Sequence, residues 1–289
     1  MHMDHLLSFD VEEYFQVEAA AARISLQQWH SWQSRLHIGI TEILEILAEQ
    51  QTCATFFILG WAARQNPDLI KKIAGQGHEI ASHGMSHTMI HRVSRDEFRQ
   101  ELRDSKKILE DLAGRPVLGY RAPTFSITRR TAWALDVLAE EGFLYDSSIF
   151  PVHHDRYGVP DAPPQPHQAL GPGGGRLLEL PPLTLWLFRT NWPIGGGGYL
   201  RLLPIRWIDH ALRQAESCHT PGMIYLHPWE FDPQQPLLPM SRLSRWRHRV
   251  GLRRTAAKLR WLMNRHRFTP VCCQLESLQA AELHFSYGR

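Results

Sequence analysis

The stretch His5–Tyr14, HLLSFDVEEY, is a short apolar run that ends abruptly in carboxylates. It decides the fold because the same construction recurs along the chain. The runs His5–Asp10, Ala54–Leu59, His78–Ala81, Val117–Tyr120, Phe143–Asp146, Leu177–Leu180, Met223–Leu226 and Phe268–Cys272 read as strands. Amphipathic segments with legible ends lie between most of them. Asn66-Pro67 supplies an N-cap and a first helical residue, with Gly77 just beyond the end. Ser94-x-x-Glu97 is a capping box, and Gly114 closes the helix it opens. Thr128–Glu141 sets Ala132, Leu135 and Leu138 on one face, and Pro204–Ser217 and Thr255–Asn264 read as two further helices. Strand, helix, strand, repeated about seven times, predicts parallel pairing with helices outside, an α/β barrel-like arrangement in one domain over residues 1–289.

Composition bounds the function. The 289 residues carry 32 Lys and Arg against 29 Asp and Glu, and 43% are hydrophobic, which excludes a wholly disordered chain. No apolar run is long enough to span a bilayer. The start MHMDHLLSFDVEEYF interrupts any export-signal core with acids, so a cytoplasmic, soluble protein is expected. The cysteines Cys53, Cys218, Cys272 and Cys273 form no CxxC pair, in keeping with a reducing compartment. Two stretches break the rhythm. Val159–Pro182 is rich in Pro and Gly and reads as a long surface loop around a strand. Ile194–Tyr199, IGGGGY, reads as a flexible loop feeding the next helix, its spacing matching no phosphate motif.

In a parallel barrel, reactive groups gather where strands end. The strand ends carry Asp10-Val11-Glu12-Glu13, Ser82-His83-Gly84-Met85-Ser86-His87, Arg121–Phe125, Asp146-Ser147-Ser148 and His227-Pro228-Trp229-Glu230. Asp10 and Glu12 are two apart, so on an extended backbone both project to one face. Carboxylates so placed repel unless a cation or a proton lies between them. His83 and His87 are four apart, a common metal-ligand spacing, and two imidazoles with a carboxylate leave a position open for water. Each piece alone has a duller explanation: an HxxxH arises easily among 17 histidines, and His91 is a rival. Their coincidence at strand ends favours a catalytic site.

The segments SFDVEEY, ASHGMSH, RAPTFS, YDSSIFP and IYLHPWEFD together resemble the five ordered motifs of the NodB-type polysaccharide deacetylases (carbohydrate esterase family four). More narrowly, they are similar to the branch found with bacterial exopolysaccharide and exosortase loci. The resemblance implies a distorted (β/α)7-8 barrel and a hydrolase removing N-acetyl groups from amino sugars of a bacterial polysaccharide or its precursor. It implies Asp10 as catalytic base, Arg121 as the group holding it, and His227 as the acid that protonates the leaving amine. It implies His83 and His87 as ligands of a divalent metal, zinc by preference, with cobalt, manganese, nickel or iron as alternatives. Pro123, Thr124 and Phe125 would line the substrate groove, and Trp229 would stack on a sugar ring. The expected partner is an N-acetylated poly- or oligosaccharide, without nucleic acid. Two positions depart from the pattern. Val11 stands where an Asp ligand is usual, so Glu12 takes that role by strand alternation, with Glu13 as the alternative. Ile149-Phe150 replaces an Asp-Trp pair, so another carboxylate must tune the acid histidine: Glu179, Asp146 or Glu230.

Two rival readings stay open. The same scaffold serves other C–N hydrolyses, of the deformylase or allantoinase kind. Alternatively, the segment 233–289 carries a binding function: Pro233 to Leu275 contains no acid, while ten Arg and Lys from Arg242 to Arg267 crowd it. Such a stretch suits nucleic acid or peripheral contact with an anionic surface. The plainer expectation is a last helix that buries Trp246, Val250, Ala257, Leu259 and Leu262 and solvates its basic face.

Overall fold

The computed structural model describes residues 4–154 and 157–288; Met1–Met3, with which the reading of the amino terminus begins, lie outside them. Strand β1 (His5–Val11) is buried throughout and lies one strand in from the end of a mainly parallel sheet. On one side it pairs in parallel with β2 (Thr55–Ile58), which is followed by β3 (Glu79–Ser82), β4 (Gly119–Tyr120) and β5 (Tyr145–Asp146). The order then runs through β7 (Arg176–Glu179) to β6 (His167–Leu170), which are antiparallel. The short β8 (Thr184–Leu187) and β9 (Thr190–Pro193) form a separate hairpin. On its other side β1 pairs with β10 (Met223–Leu226) and β11 (Phe268–Thr269), and β12 (His284–Ser286) pairs with β6.

The parallel α/β architecture is the expected one, but no continuous ladder closes the barrel among the described residues. Only isolated bridges, Pro182 with Met223 and Gly196 with Tyr225, tie the chain after β7 to β10. The Pro- and Gly-rich stretch is likewise more ordered than a loop. It contains β6, and the turn into β7 is anchored because Asp136 accepts from the N–H groups of Gly173 (2.9 Å) and Gly175 (2.8 Å).

Period-two alternation explains what the sheet carries inward. Leu7, Phe9 and Val11 join the large outer core that packs the helices, as do Phe56 and Ile58 of β2. Leu6, Phe57, Ala81, Tyr145, Leu178 and Met223 form the inner cluster. The same inner phase places Ser8 and Asp10 above Leu6.

Helix boundaries follow local chemistry. In the helix Arg95–Ala113, Ser94 Oγ accepts from Glu97 N–H and Glu97 accepts from Ser94 N–H at 2.7 Å, while Gly114 ends it at φ +65°. Helix Leu36–Glu49 packs on the turn after β10, and a Cβ on Gly39 would lie 2.0 Å from the Pro228 carbonyl oxygen. Only glycine permits that approach.

The basic segment departs from expectation. Leu259 and Leu262 are buried in helix Thr255–Met263, and Arg260 pairs with Glu42 and Glu49. Trp246, expected in the same stripe, is 56% exposed on the separate helix Arg242–Arg249, and Ala257 is exposed as well.

Candidate active site

Arg121, fully buried, organises the floor of the candidate site. Its Nη1 donates to Asp10 Oδ1 at 2.6 Å and to Ser8 Oγ at 2.9 Å; Nη2 donates to Ser147 Oγ at 2.9 Å and Nε to the Ser147 carbonyl at 3.2 Å. The guanidinium lies 4.0 Å from the centre of the Phe57 ring. A charge in so apolar a place is tolerable only when paired and saturated with hydrogen bonds, which these four contacts provide.

Glu12, His83 and His87 bring one donor atom each within 4.8 Å of one another. His83 Nδ1 lies 2.7 Å from the Arg121 carbonyl oxygen. Because a carbonyl only accepts, Nδ1 carries the hydrogen and the lone pair of Nε2 is left to ligate. Burial lowers the His83 pKa to about 4, which keeps the ring neutral. His87 Nε2 sits 2.7 Å from Glu12 Oε2, yet that buried oxygen accepts no hydrogen bond among the described residues. Burial raises the Glu12 pKa, but His87, His227 and His83 more than offset it and bring it to about 2. An ionised carboxylate and two imidazoles converging with an unsatisfied oxygen have the donor chemistry of a divalent cation site with open positions.

Glu13, the alternative ligand, is used elsewhere. It accepts from Ser34 Oγ and from the backbone N–H groups of Arg35 (3.1 Å) and Leu36 (3.4 Å), so it caps the helix Leu36–Glu49. His91 is exposed in the short 3-10 turn Ile90–Arg92, apart from the cluster.

His227 follows β10 and turns its Nε2 toward the carboxylates, 3.8 Å from Glu12 Oε1 and 4.0 Å from Asp10 Oδ2. Its Nδ1 lies 3.3 Å from Glu230 Oε2, which also accepts from the His227 N–H at 3.0 Å. Burial lowers the His227 pKa, but Glu230, Glu12 and Asp10 outweigh it and raise it to about 9. Arg201 Nε in turn holds Glu230 Oε1 at 2.9 Å. A Cβ on Gly197 would lie 1.7 Å from Glu230 Oε2. The glycine run is therefore buried packing against the Glu230 carboxylate rather than a flexible loop.

The expected tuning carboxylates are corrected here. Asp146 and Glu179 are register partners that hydrogen-bond to each other, with further contacts to Ser148 and to Ile149 N–H. Burial raises both carboxyls, and the neighbouring Asp146 pushes Glu179 further, well above the usual carboxylate range. The carboxylate on His227 belongs to Glu230. Trp229 is corrected too. Its indole stacks on His227 (5.2 Å) and on His248 (4.4 Å), and Nε1 donates to Glu12 Oε1 at 3.1 Å, the packing role that is the plainer reading of a tryptophan after a barrel strand. Pro123 and Phe125 are buried and Thr124 is partly exposed. Phe125 packs on Tyr225 (4.7 Å) and Phe150 (5.3 Å), and both Thr124 and Phe125 hold positive φ, +56° and +50°. Strain of that kind persists only where the surroundings enforce it. Ser8, Ser147 and Arg201 were not anticipated. Ser8 was legible as the inner-face neighbour of Asp10, whereas nothing local marks Arg201.

A second group, His5, Glu216 and His266, also clusters. His5 Nδ1 accepts from Gly222 N–H at 3.0 Å, so its Nε2 carries the hydrogen and donates to Glu216 at 3.1 Å. That tautomer has no lone pair for a metal.

Residues 38–142 match the polysaccharide deacetylase family, and residues 147–275 match a domain of unknown function, DUF3473. Over residues 38–142 the chain is thus similar to the polysaccharide deacetylases. That match includes His83, His87, Arg121 and the 123–125 turn; Asp10 and Glu12 precede it, and His227 and Glu230 fall in the second match. A chitooligosaccharide deacetylase of Rhizobium leguminosarum bv. trifolii is 29% identical over 112 residues, 39% of this chain and 48% of its own. A peptidoglycan-N-acetylglucosamine deacetylase of Bacillus cereus is 40% identical over 73 residues, 25% of this chain and 26% of its own. The chain thus spans less than half the length of these relatives. A crystal structure of a putative polysaccharide deacetylase from Mycobacterium smegmatis superposes with a TM-score of 0.66 at 21% identity, covering 97% of this chain and 92% of that one. The fold of that structure therefore extends over both matched segments.

Proposed function

We propose that this chain is a metal-dependent hydrolase that removes N-acetyl groups from amino sugars of a polysaccharide or its precursor. The observation that carries the reading is the convergence of Glu12, His83 and His87 between a carboxylate fixed by Arg121 and an imidazole fixed by Glu230. The names of the relatives, which are amino-sugar deacetylases, support the substrate class.

Glu12, His83 and His87 would hold a divalent cation, zinc being suited by the two imidazoles, and when bound it would supply Lewis acidity toward the acyl oxygen and acidify a water. Asp10 takes the proton of the attacking water, and its bond to Arg121 keeps the free oxygen, Oδ2, turned toward the site. As the C–N bond breaks, His227 Nε2 gives its proton to the departing nitrogen. Acetate and a free amino sugar leave, and the proton on Asp10 restores the imidazolium in the next cycle. Glu230 holds His227 by Nδ1, so only Nε2 faces the nitrogen. Each of the two proton transfers is worth ~10²–10⁴-fold.

The test is acetate release from N-acetylglucosamine oligomers by the purified chain. Release that stops with chelator and returns with zinc, cobalt or manganese supports the reading. No release with any of these metals, or release that survives loss of His83 and His87, overturns it; formate release from N-formyl sugars instead would transfer the same chemistry to a deformylase.

A further inference from the structure

The β8–β9 hairpin and the helix Arg242–Arg249 present to solvent side chains that a folded chain usually hides. Phe188 at the hairpin tip is 83% exposed, and Trp192, which shares a hairpin face with Leu185, is 51% exposed, while Trp186 lies on the opposite face. Phe188 and Arg189 hold φ of +52° and +63°, the left-handed pair of a tight two-residue turn, so the backbone itself thrusts the ring outward. Trp192 and Trp207 line an apolar groove of about 590 Å³ that Leu203 borders. The adjacent Leu202 lines a second groove with Arg249, Arg253 and Arg254, and Arg249 also borders a third with Arg242, Arg245 and Trp246. The three grooves adjoin through Leu202–Leu203 and Arg249, so from hairpin to helix they form a belt lined by exposed rings, leucines and guanidinium groups.

Its charge is not cancelled from within. No Asp or Glu occurs between Pro233 and Leu275. Arg249 donates to the carbonyls of Gln235 and Pro233, and Arg245 to that of Met240, contacts that leave the positive charge standing.

We infer that this belt docks the protein on an anionic phospholipid bilayer. Aromatic rings favour the headgroup boundary, and arginine can lay its stem on apolar surface while its head reaches lipid phosphate. A nucleic acid could use the rings and the arginines, but Leu202 and Leu243, exposed by 45% and 57%, offer nothing to stack on or hydrogen-bond. An acyl boundary accepts both. The docking does not depend on the hydrolytic reading, so Asp10→Asn is expected to bind membranes as the native chain does.

The experiment is co-sedimentation of the full chain with vesicles of phosphatidylglycerol and phosphatidylcholine, beside vesicles of phosphatidylcholine alone, over a range of salt. Binding to the mixed vesicles, weakening with salt, and a blue shift of tryptophan emission are expected. Each arginine near the surface contributes roughly fivefold, so Arg242→Ser, Arg245→Ser and Arg253→Ser together weaken partitioning about a hundredfold. Phe188→Ser with Trp192→Ser removes most of the blue shift and leaves acetate release from soluble oligomers unchanged. Thermal melts confirm that each variant is folded, and the native chain's emission shift stands as a readout independent of them. Absence of binding to mixed vesicles at low salt, equal binding to both vesicle types, or an unaffected triple-arginine variant overturns the inference. Retention on duplex DNA without vesicle binding overturns it in favour of a soluble polyanion.

Discussion

Glu230 Oε2 lies 3.3 Å from His227 Nδ1 and, through its other oxygen, 2.9 Å from Arg201 Nε. The pair supplies from within one 3-10 turn the carboxylate that the departure at Ile149-Phe150 left unassigned. Glu230 stabilises the imidazolium, so its removal lowers the His227 pKa from about 9. A general acid works while protonated, so kcat/KM of the native chain is expected to fall as pH rises through about 9. In Glu230→Gln that basic limb moves to lower pH and the plateau drops by roughly 10–100-fold, a part of what a general acid contributes. A profile whose basic limb stays in place removes Glu230 from the acid's control.

Arg121 and Asp10 are both buried and meet at 2.6 Å, so neither charge has water to fall back on. Arg121→Met leaves Asp10 buried and unpaired, which costs about 3–5 kcal/mol of stability. Lysine restores the charge but not the fork that reaches Asp10, Ser8 and Ser147 together, so Arg121→Lys is expected to fold and lose at least ~10-fold in kcat. Urea unfolding and steady-state kinetics of the two variants check this; an Arg121→Met chain of native stability would show that the pair is not buried as described.

Metal content separates ligands from proton carriers. Glu12→Gln, His83→Ala and His87→Ala are expected to abolish stoichiometric zinc, whereas Asp10→Asn and His227→Ala retain it and lose ~10²–10⁴-fold in turnover. Glu13→Gln keeps zinc and instead weakens the start of the helix Leu36–Glu49, by about 1 kcal/mol. If the folded chain holds zinc as proposed, zinc at 100 times its Kd raises stability by about 2.7 kcal/mol, and this increment vanishes in the ligand variants. Elemental analysis and thermal melts with and without zinc decide it; zinc loss from Glu13→Gln with retention in Glu12→Gln would reverse the assignment.

The sheet and most of the site were legible because strand alternation and polar strand ends are local signals. Asp10, Arg121 and His227 stand at strand ends whose apolar runs are unambiguous, and the Ser94 box and Gly114 fix their helix. What escaped depended on contacts between distant segments. Trp229 reads as a sugar platform until His248, on a helix near the carboxyl terminus, is found stacked on it. The glycines from 195 to 197 read as a flexible loop because the sequence does not reveal Tyr225 and Glu230 beneath them. Glu179 and Asp146 were offered as partners of His227 because all three lie at strand ends; their pairing with each other is a matter of register between β5 and β7.

Those glycines make a sharp steric prediction. Gly197→Ala drives a methyl into the Glu230 carboxylate, whereas the neighbouring Gly198→Ala meets nothing within 4 Å. The first is expected to cost about 1–3 kcal/mol, as overpacking of a filled interior does, and to impair turnover by displacing Glu230 while zinc is retained. The second leaves activity unchanged, and both share the same loss of backbone freedom, which isolates the clash. Equal behaviour of the two would mean that the segment is as loose as its composition suggests.

Acid sensitivity of the fold follows from histidines buried in neutral form. His167 and His248 have pKa values lowered to about 4, chiefly by burial, with Arg201 adding to the effect at His248. An unfolded chain titrates near 6.5, so it binds protons first as pH falls, and the stability these rings confer is complete above about 6.5 and lost between about 6.5 and 4. His167 is fully buried, with Nε2 2.7 Å from Tyr287 Oη and Nδ1 2.8 Å from the Gln165 carbonyl. The carbonyl fixes the hydrogen on Nδ1, so protonation at Nε2 requires the Tyr287 hydroxyl to turn away. The melting temperature is therefore expected to decline through this window, and His167→Gln, which cannot titrate, to decline less steeply from a lower starting value. Thermal melts at intervals of pH give the two slopes; parallel curves would assign the acid sensitivity to other groups.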